Sequence, residues 1–213
     1  MTPRPRALAL AAASGIALGA AARLGIHLGT AAGWLLRLGV PWLLVPFLIG
    51  ALLAAPRRAA VAGALAMLAA VATYYALKVG VEHRATRGYG IEMTALWGSI
   101  GLLAGAAFAA LGAFARTLPG AGRAVAVALV SGALAGEGLL MLRTGPQLQV
   151  AHEAALIELV VAGVLPLLFV RQARPTIAAI VLSVALALVS VHAVSSIRTF
   201  AFHAGWGAGY QLP

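Results

Sequence analysis

Long apolar runs occupy most of this chain, and they constrain its fold more than any other feature of the sequence. A helix that crosses a membrane needs about 20 mainly apolar residues. Such runs lie at 7–28, 41–55, 59–79, 91–115, 124–142, 150–170 and 176–201. The chain is 62% hydrophobic and 9% charged, whereas a soluble domain carries about 25% charged residues. The sequence therefore predicts an all-α integral membrane bundle of about seven transmembrane helices.

The connections between these runs are short and contain proline, glycine and arginine, as in AAPRRAA and RTLPGAGR. None is long enough to divide the chain, so we predict a single transmembrane domain over 1–213 in a multi-pass protein of the cell membrane. The second run, 41–55, is short for a span. Residues 34–40 could lengthen it or lie along the membrane interface.

The basic residues indicate an orientation, because cytoplasmic loops carry an excess of lysine and arginine. A cytoplasmic N-terminus places Arg4, Arg6, Arg57, Arg58, Arg116, Arg123, Arg171 and Arg174 inside, and Arg37, Arg84, Arg87 and Arg143 outside. We predict that the N-terminus is inside and the C-terminus outside. The formal charge of +10 is dispersed between apolar runs, which favours contact with membrane lipids over nucleic-acid binding.

One carboxylate stands out in the stretch GALAGEGLL, where Glu137 has no charged neighbour on its own helix. An ionised side chain at the centre of a bilayer costs roughly 2.5 kcal/mol or more on insertion scales. We therefore predict that Glu137 is protonated and faces a polar-lined pocket, where it could donate a proton. Glu158, Glu92 and His192 complete the predicted acid/base set. A structural pairing of Glu137 and Glu158 with basic side chains is the alternative.

Under this topology the other polar residues gather in the outer half of the bundle. They predict one outer-facing cavity, shared by His27, His192 and Glu158. The candidate substrate-binding residues are Tyr74, Tyr75, Lys78, Arg23, His27, His152, Glu153, Trp97, Ser195 and Arg198. Arg23, Lys78 and Arg198 could instead extend to the lipid head groups, and Trp97 could belong to an interfacial aromatic belt.

These residues are compatible with three classes of function. The first is an enzyme that uses carboxyl acid/base chemistry on a lipophilic substrate, such as a lipid or an isoprenoid in a cyclisation. The second is a small proton-coupled transporter or a membrane protein that binds a lipid or small molecule. A transporter is expected to contain discontinuous spans or an inverted repeat; Pro46 and Pro166 are the possible breaks, and the sequence shows no repeat. The third is a non-catalytic assembly subunit. Cysteine is absent and H-E-x-x-H does not occur, so we predict no metal and no cofactor.

Three segments carry a resemblance to known proteins: PWLLVPFLIGALLAAPRR, VATYYALK and GALAGEGLLMLR. Together they resemble an uncharacterised family of small polytopic membrane proteins from high-GC bacteria. The resemblance implies a multi-pass fold over most of the chain. It implies no activity for Glu137 or for any other residue.

Overall fold

The computed structural model describes residues 5–81, 87–144, 149–170 and 172–203. They form the helices α1 (Pro5–Gly25), α2 (Ala31–Leu35), α3 (Gly39–Leu53), α4 (Pro56–Ala76), α5 (Arg87–Thr117), α6 (Gly120–Thr144), α7 (Gln149–Phe169) and α8 (Ala173–His203). A π-helical turn, Leu77–Val81, extends α4. The predicted all-α membrane bundle is confirmed.

Six of these helices are long and apolar enough to cross a membrane within the described ranges. Their spanning segments are Pro5–Gly25, Pro56–Val81, Gly90–Thr117, Gly120–Arg143, Gln149–Phe169 and Ala173–His192. Helix α3 is apolar but has only 15 residues, so its length is roughly 22 Å against a hydrocarbon thickness of about 30 Å. The run predicted at 41–55 is thus a helix that is too short to span alone.

Helix α3 nevertheless returns the chain across the bundle. Gly15 of α1 lies directly against the backbone carbonyl of Ala66 in α4, and Gly19 lies against that of Ala70. This register makes α1 and α4 parallel. The segment that connects them, which contains α3, therefore has to cross the bundle in the opposite direction. Only glycine allows two backbones to approach so closely, because a Cβ atom would occupy the place of the carbonyl.

The second pass is interrupted between α2 and α3. Thr30 caps α2 through a hydrogen bond from Gly33 N to its Oγ1 atom (3.3 Å). The turn that follows is held by Trp42, whose indole Nε1 donates to Leu36 O (3.0 Å). Residues 34–40 are therefore divided between α2, this turn and α3. Pro46, the predicted break in this span, lies inside the continuous helix α3.

The helices pack as two groups. In the first group α4 packs against α1, α3 and α5; in the second, α6 packs against α7 and α8. The main hydrophobic core lies between the groups and includes Phe47 of α3, Leu134 of α6 and Leu165 of α7. The rings of Phe47 and Phe169 meet edge to face at 5.1 Å. Helix α3 therefore contributes to the core between the two groups.

The charged residues divide the bundle into two ends. The basic end carries Arg57, Arg58, Arg116, Arg123 and Arg174, next to the starts of α4, α6 and α8 and the end of α5. The described carboxylates, Glu92, Glu137, Glu153 and Glu158, lie in the opposite half, which we call the acidic end. At the basic end the Arg116 guanidinium donates to Ala51 O (2.9 Å) and Leu52 O (3.3 Å). This contact caps the C-terminus of α3 with positive charge.

Candidate functional site

The N-terminus of α3 needs hydrogen-bond acceptors from outside its own segment. The first N–H groups of a helix have no partner within the helix. The usual solution is a serine, threonine, aspartate or asparagine at the N-cap position. Here the N-cap residue is Leu38, whose side chain makes no capping hydrogen bond and is buried.

Two carboxyl groups from the second helix group supply the missing acceptors. Gly39 N donates to Oε2 of Glu137 in α6 (2.8 Å), and Val40 N donates to Oε1 of Glu158 in α7 (3.1 Å). The third residue of α3 is Pro41, which has no N–H group. The free donors of this helix end are therefore satisfied by a pair of glutamates, which we call the carboxyl pair.

The carboxyl pair lies below the surface of the bundle. Glu137 is about two helical turns from the end of α6, roughly 10 Å at 1.5 Å per residue. Glu158 is more than two turns from the start of α7, roughly 13 Å. The Glu158 side chain is 0% exposed, and its Oε2 atom has no hydrogen-bond partner among the described residues. Glu137 is half-buried, and its carboxyl fills the place that a Cβ atom of residue 39 would take.

This arrangement gives Glu137 a partner that the sequence did not predict. The sequence predicted a carboxyl that faces a polar-lined pocket as a proton donor, or one paired with a basic side chain. In the structure the carboxyl accepts a hydrogen bond from the backbone N–H of Gly39. The one available signal was the stretch L-G-V-P at 38–41 in a chain without aspartate or asparagine. A buried helix that starts there has to take its acceptors from another helix.

A second set of predicted residues does come together, at the acidic end of α1 and α4. The guanidinium of Arg23 lies over the ring of Tyr74, 5.5 Å from its centroid. Tyr74 meets Tyr75 edge to face at 5.2 Å, and the Lys78 ammonium lies 5.8 Å from the centroid of Tyr75. We call Arg23, Tyr74, Tyr75 and Lys78 the aromatic row. It places Arg23, which is 5% exposed, inside the bundle.

The other candidates are placed apart. Glu92, His27, His192 and Glu153 are exposed, and Trp97 is half exposed. Glu153 accepts a hydrogen bond from Gln149 Nε2 (2.8 Å), and His152 is half-buried with its Nε2 atom unpartnered among the described residues. The side chains of Ser195 and Arg198 lie outside those that the structure describes.

A cavity shared by His27, His192 and Glu158 is therefore wrong. Glu158 is completely buried, while both histidines lie at the surface. The reason is that α1 packs against α4 in the first helix group, whereas α8 packs against α6 in the second. In the part of the chain that the structure covers, no group of three His, Cys, Asp or Glu side chains is placed to hold a metal ion.

A groove of about 620 Å³ opens between α4, its π-helical turn and α5. Its lining is mostly apolar and includes Leu68, Ala72, Tyr75, Ala95 and Leu102, with the hydroxyl groups of Thr94 and Ser99. Neither member of the carboxyl pair belongs to this lining. The acidic end thus has two separate features, the capped N-terminus of α3 and the groove beside the aromatic row.

Comparison with known proteins gives a family without a known activity. A family of unknown function (DUF6518) matches residues 1–199. No curated protein matches the chain, and no solved structure matches it either.

Proposed function

We propose that this chain, which belongs to the family of unknown function DUF6518, is a small proton-coupled membrane transporter. The observation that carries the proposal is the discontinuous second pass, in which the N-terminus of α3 is buried and capped by Glu137 and Glu158. Non-helical backbone is tolerated at membrane depth only where it is buried in protein or lines a cavity. Helices interrupted in this way are typical of the ion and substrate sites of transporters.

The carboxyl pair supplies a place for one proton. The two groups bind consecutive amides, so two negative charges there would repel each other at short range in a poorly hydrated site. Two neutral groups would lose the stronger hydrogen bonds that an ionised acceptor makes. We propose that the pair carries one negative charge, which the helix dipole stabilises, and one shared proton.

The position of the pair gives that proton a structural effect. Helix α3 belongs to the first helix group, whereas Glu137 and Glu158 come from the second. The hydrogen bonds to Gly39 and Val40 therefore connect the groups, and a second proton would weaken them. Alternating access in transporters is largely a rocking of one bundle against another, and the carboxyl pair would control that movement.

The acid/base enzyme predicted from the sequence has weaker support. Its proposed acids, Glu137 and Glu158, are turned to backbone amides. The α4–α5 groove, which could admit a lipophilic substrate, is lined by other residues. An assembly subunit would not need a titratable pair at the contact between its helix groups.

A distance measurement across the two groups tests the proposal. The chain contains no cysteine, so spin labels attach only where cysteines are introduced. Leu96→Cys in α5 and Leu156→Cys in α7 label exposed positions of different groups. We expect their distance distribution to shift as the pH falls, because the second proton loosens the cap. A variant with Glu137→Gln and Glu158→Gln should lose the shift.

Two controls separate the pair from other titrating groups. Glu153→Gln, an exposed position on the same helix as Glu158, should keep the shift. The double glutamine variant retains His152, so a shift that persists in it would assign the effect to another group. Labels at Leu24→Cys and Leu96→Cys, both in the first helix group, should give a constant distance. If the distance between the labels at positions 96 and 156 does not change with pH while Glu137 and Glu158 are both present, the proposal is contradicted.

We also propose that the basic end is cytoplasmic, as the arginine distribution predicts. The alternation of helix directions places the start of α1 at the basic end and the end of α8 at the acidic end. A reporter that is active only outside the cytoplasm should therefore give a signal when fused after Pro213. The same reporter inserted after Ala55, between α3 and α4, should be silent. The reverse pattern would invert the topology.

A further inference from the structure

The α4–α5 groove has the form of a binding site for a single hydrophobic chain. Its volume of about 620 Å³ lies within the usual range of ligand pockets, about 300–1,000 Å³. The walls are formed by small and apolar side chains, among them Ala72 and Ala76 of α4 and Ala95 of α5. The groove opens on the outer surface of the bundle, where Ala72, Ala76 and Ala95 are exposed, so a lipid can enter it from the side.

The aromatic row places positive charge beside this groove. Tyr75 belongs to both features: its ring is part of the groove lining and also contacts the Lys78 ammonium. Through Tyr74, the row continues to the buried Arg23. Cation–π contacts hold both positive groups in defined positions. One side of the groove is therefore apolar, and its edge is cationic.

The backbone at Lys78 is also unusual. Lys78 lies on the π-helical turn Leu77–Val81, at the acidic end of the span Pro56–Val81. This position is near the end of a membrane-spanning segment, which is the depth at which lipid head groups are found.

From the apolar groove, the cationic row and their shared residue Tyr75, we infer that this site binds one anionic phospholipid. An acyl chain lies along the apolar lining, and the phosphate lies at Lys78. Any phospholipid could fill the groove with a chain, but the positive edge selects a lipid with net negative charge. Basic pockets between transmembrane helices bind anionic head groups in this way. The site is independent of the carboxyl pair and of the proposed transport.

Lipid retention by the full chain tests the inference. The protein is reconstituted in phosphatidylcholine nanodiscs that contain a minor fraction of phosphatidylglycerol, and native mass spectrometry counts the lipids that remain bound. We expect one phosphatidylglycerol to be retained in preference to phosphatidylcholine. Lys78→Gln should lower its retention about fivefold, the factor typical of one basic group near an anionic lipid. Ala95→Trp, which fills the groove, should abolish retention.

Matched controls exclude general effects of charge and bulk. Arg57→Gln removes an exposed charge at the opposite end, and Ala107→Trp adds the same bulk at an exposed position of α5 outside the groove. Both variants should retain the lipid as the unaltered protein does. Lys78→Arg keeps the charge and should keep the selectivity. Equal retention of the two lipids, or retention that survives Ala95→Trp, would overturn the inference.

Discussion

Replacing Glu158 by leucine is expected to lower the free energy of unfolding by about 3 kcal/mol. The side chain is 0% exposed and accepts a hydrogen bond from Val40 N. Leucine has a similar size but no acceptor, so the amide would be left buried without a partner, which costs about 1–3 kcal/mol in proteins and several in a lipid-like environment. Unfolding in mixed micelles with increasing sodium dodecyl sulfate would measure the change.

Two variants make this result specific to the cap. Glu158→Gln keeps a carbonyl oxygen in the place of Oε1, so we expect it to lose less than about 1 kcal/mol. Glu153→Leu removes an exposed carboxylate from the same helix, and surface changes of this kind usually stay within about 0.5 kcal/mol. Equal destabilisation by Glu158→Leu and Glu153→Leu would show that the bond to Val40 contributes nothing to stability.

The positions of the helices could be predicted because each depends on its own segment. The run predicted at 150–170 corresponds to α7, Gln149–Phe169, and the run at 59–79 corresponds to α4 with its π-helical turn. A span is recognised by about 20 apolar residues in sequence, whatever the neighbouring helices do. The short run at 41–55 was recognised for the same reason, although its role in the bundle was not.

The candidate site could be predicted only in part, because it depends on contacts between distant segments. Gly39 and Glu137 are 98 residues apart, and Val40 and Glu158 are 118 apart. The sequence identified both glutamates as unusual, since a carboxylate among apolar residues needs a compensating partner. It did not identify the partner, because a backbone N–H group is present at nearly every position and has no sequence signal. The aromatic row could not be predicted for the same reason, because Arg23 of α1 contacts Tyr74 of α4, a different helix.

Close contact between α3 and α5 is the other condition for the site, and it depends on two glycines. Gly50 of α3 lies against the backbone carbonyl of Ala109, and Gly112 of α5 lies against that of Phe47. In each case an added Cβ atom would coincide with a backbone oxygen, which cannot rotate away as a flexible side chain could. The two contacts are reciprocal, so a substitution at either position has to separate the helices.

We therefore expect Gly50→Ala to lower the free energy of unfolding by about 3 kcal/mol, the upper part of the usual range for overpacking. The better helix propensity of alanine, worth about 1 kcal/mol, offsets only part of that cost. Gly163→Ala in α7 is the matched control: outside the backbone of its own helix, no heavy atom of the described residues lies within 4 Å of the added Cβ, so it should be neutral or slightly stabilising.

Because a displaced α3 also moves Gly39 and Val40 from their acceptors, Glu158→Leu should cost less in the Gly50→Ala background than alone. A double-mutant cycle measures this coupling. Strict additivity of the two losses would mean that the cap and the α3–α5 contact are independent.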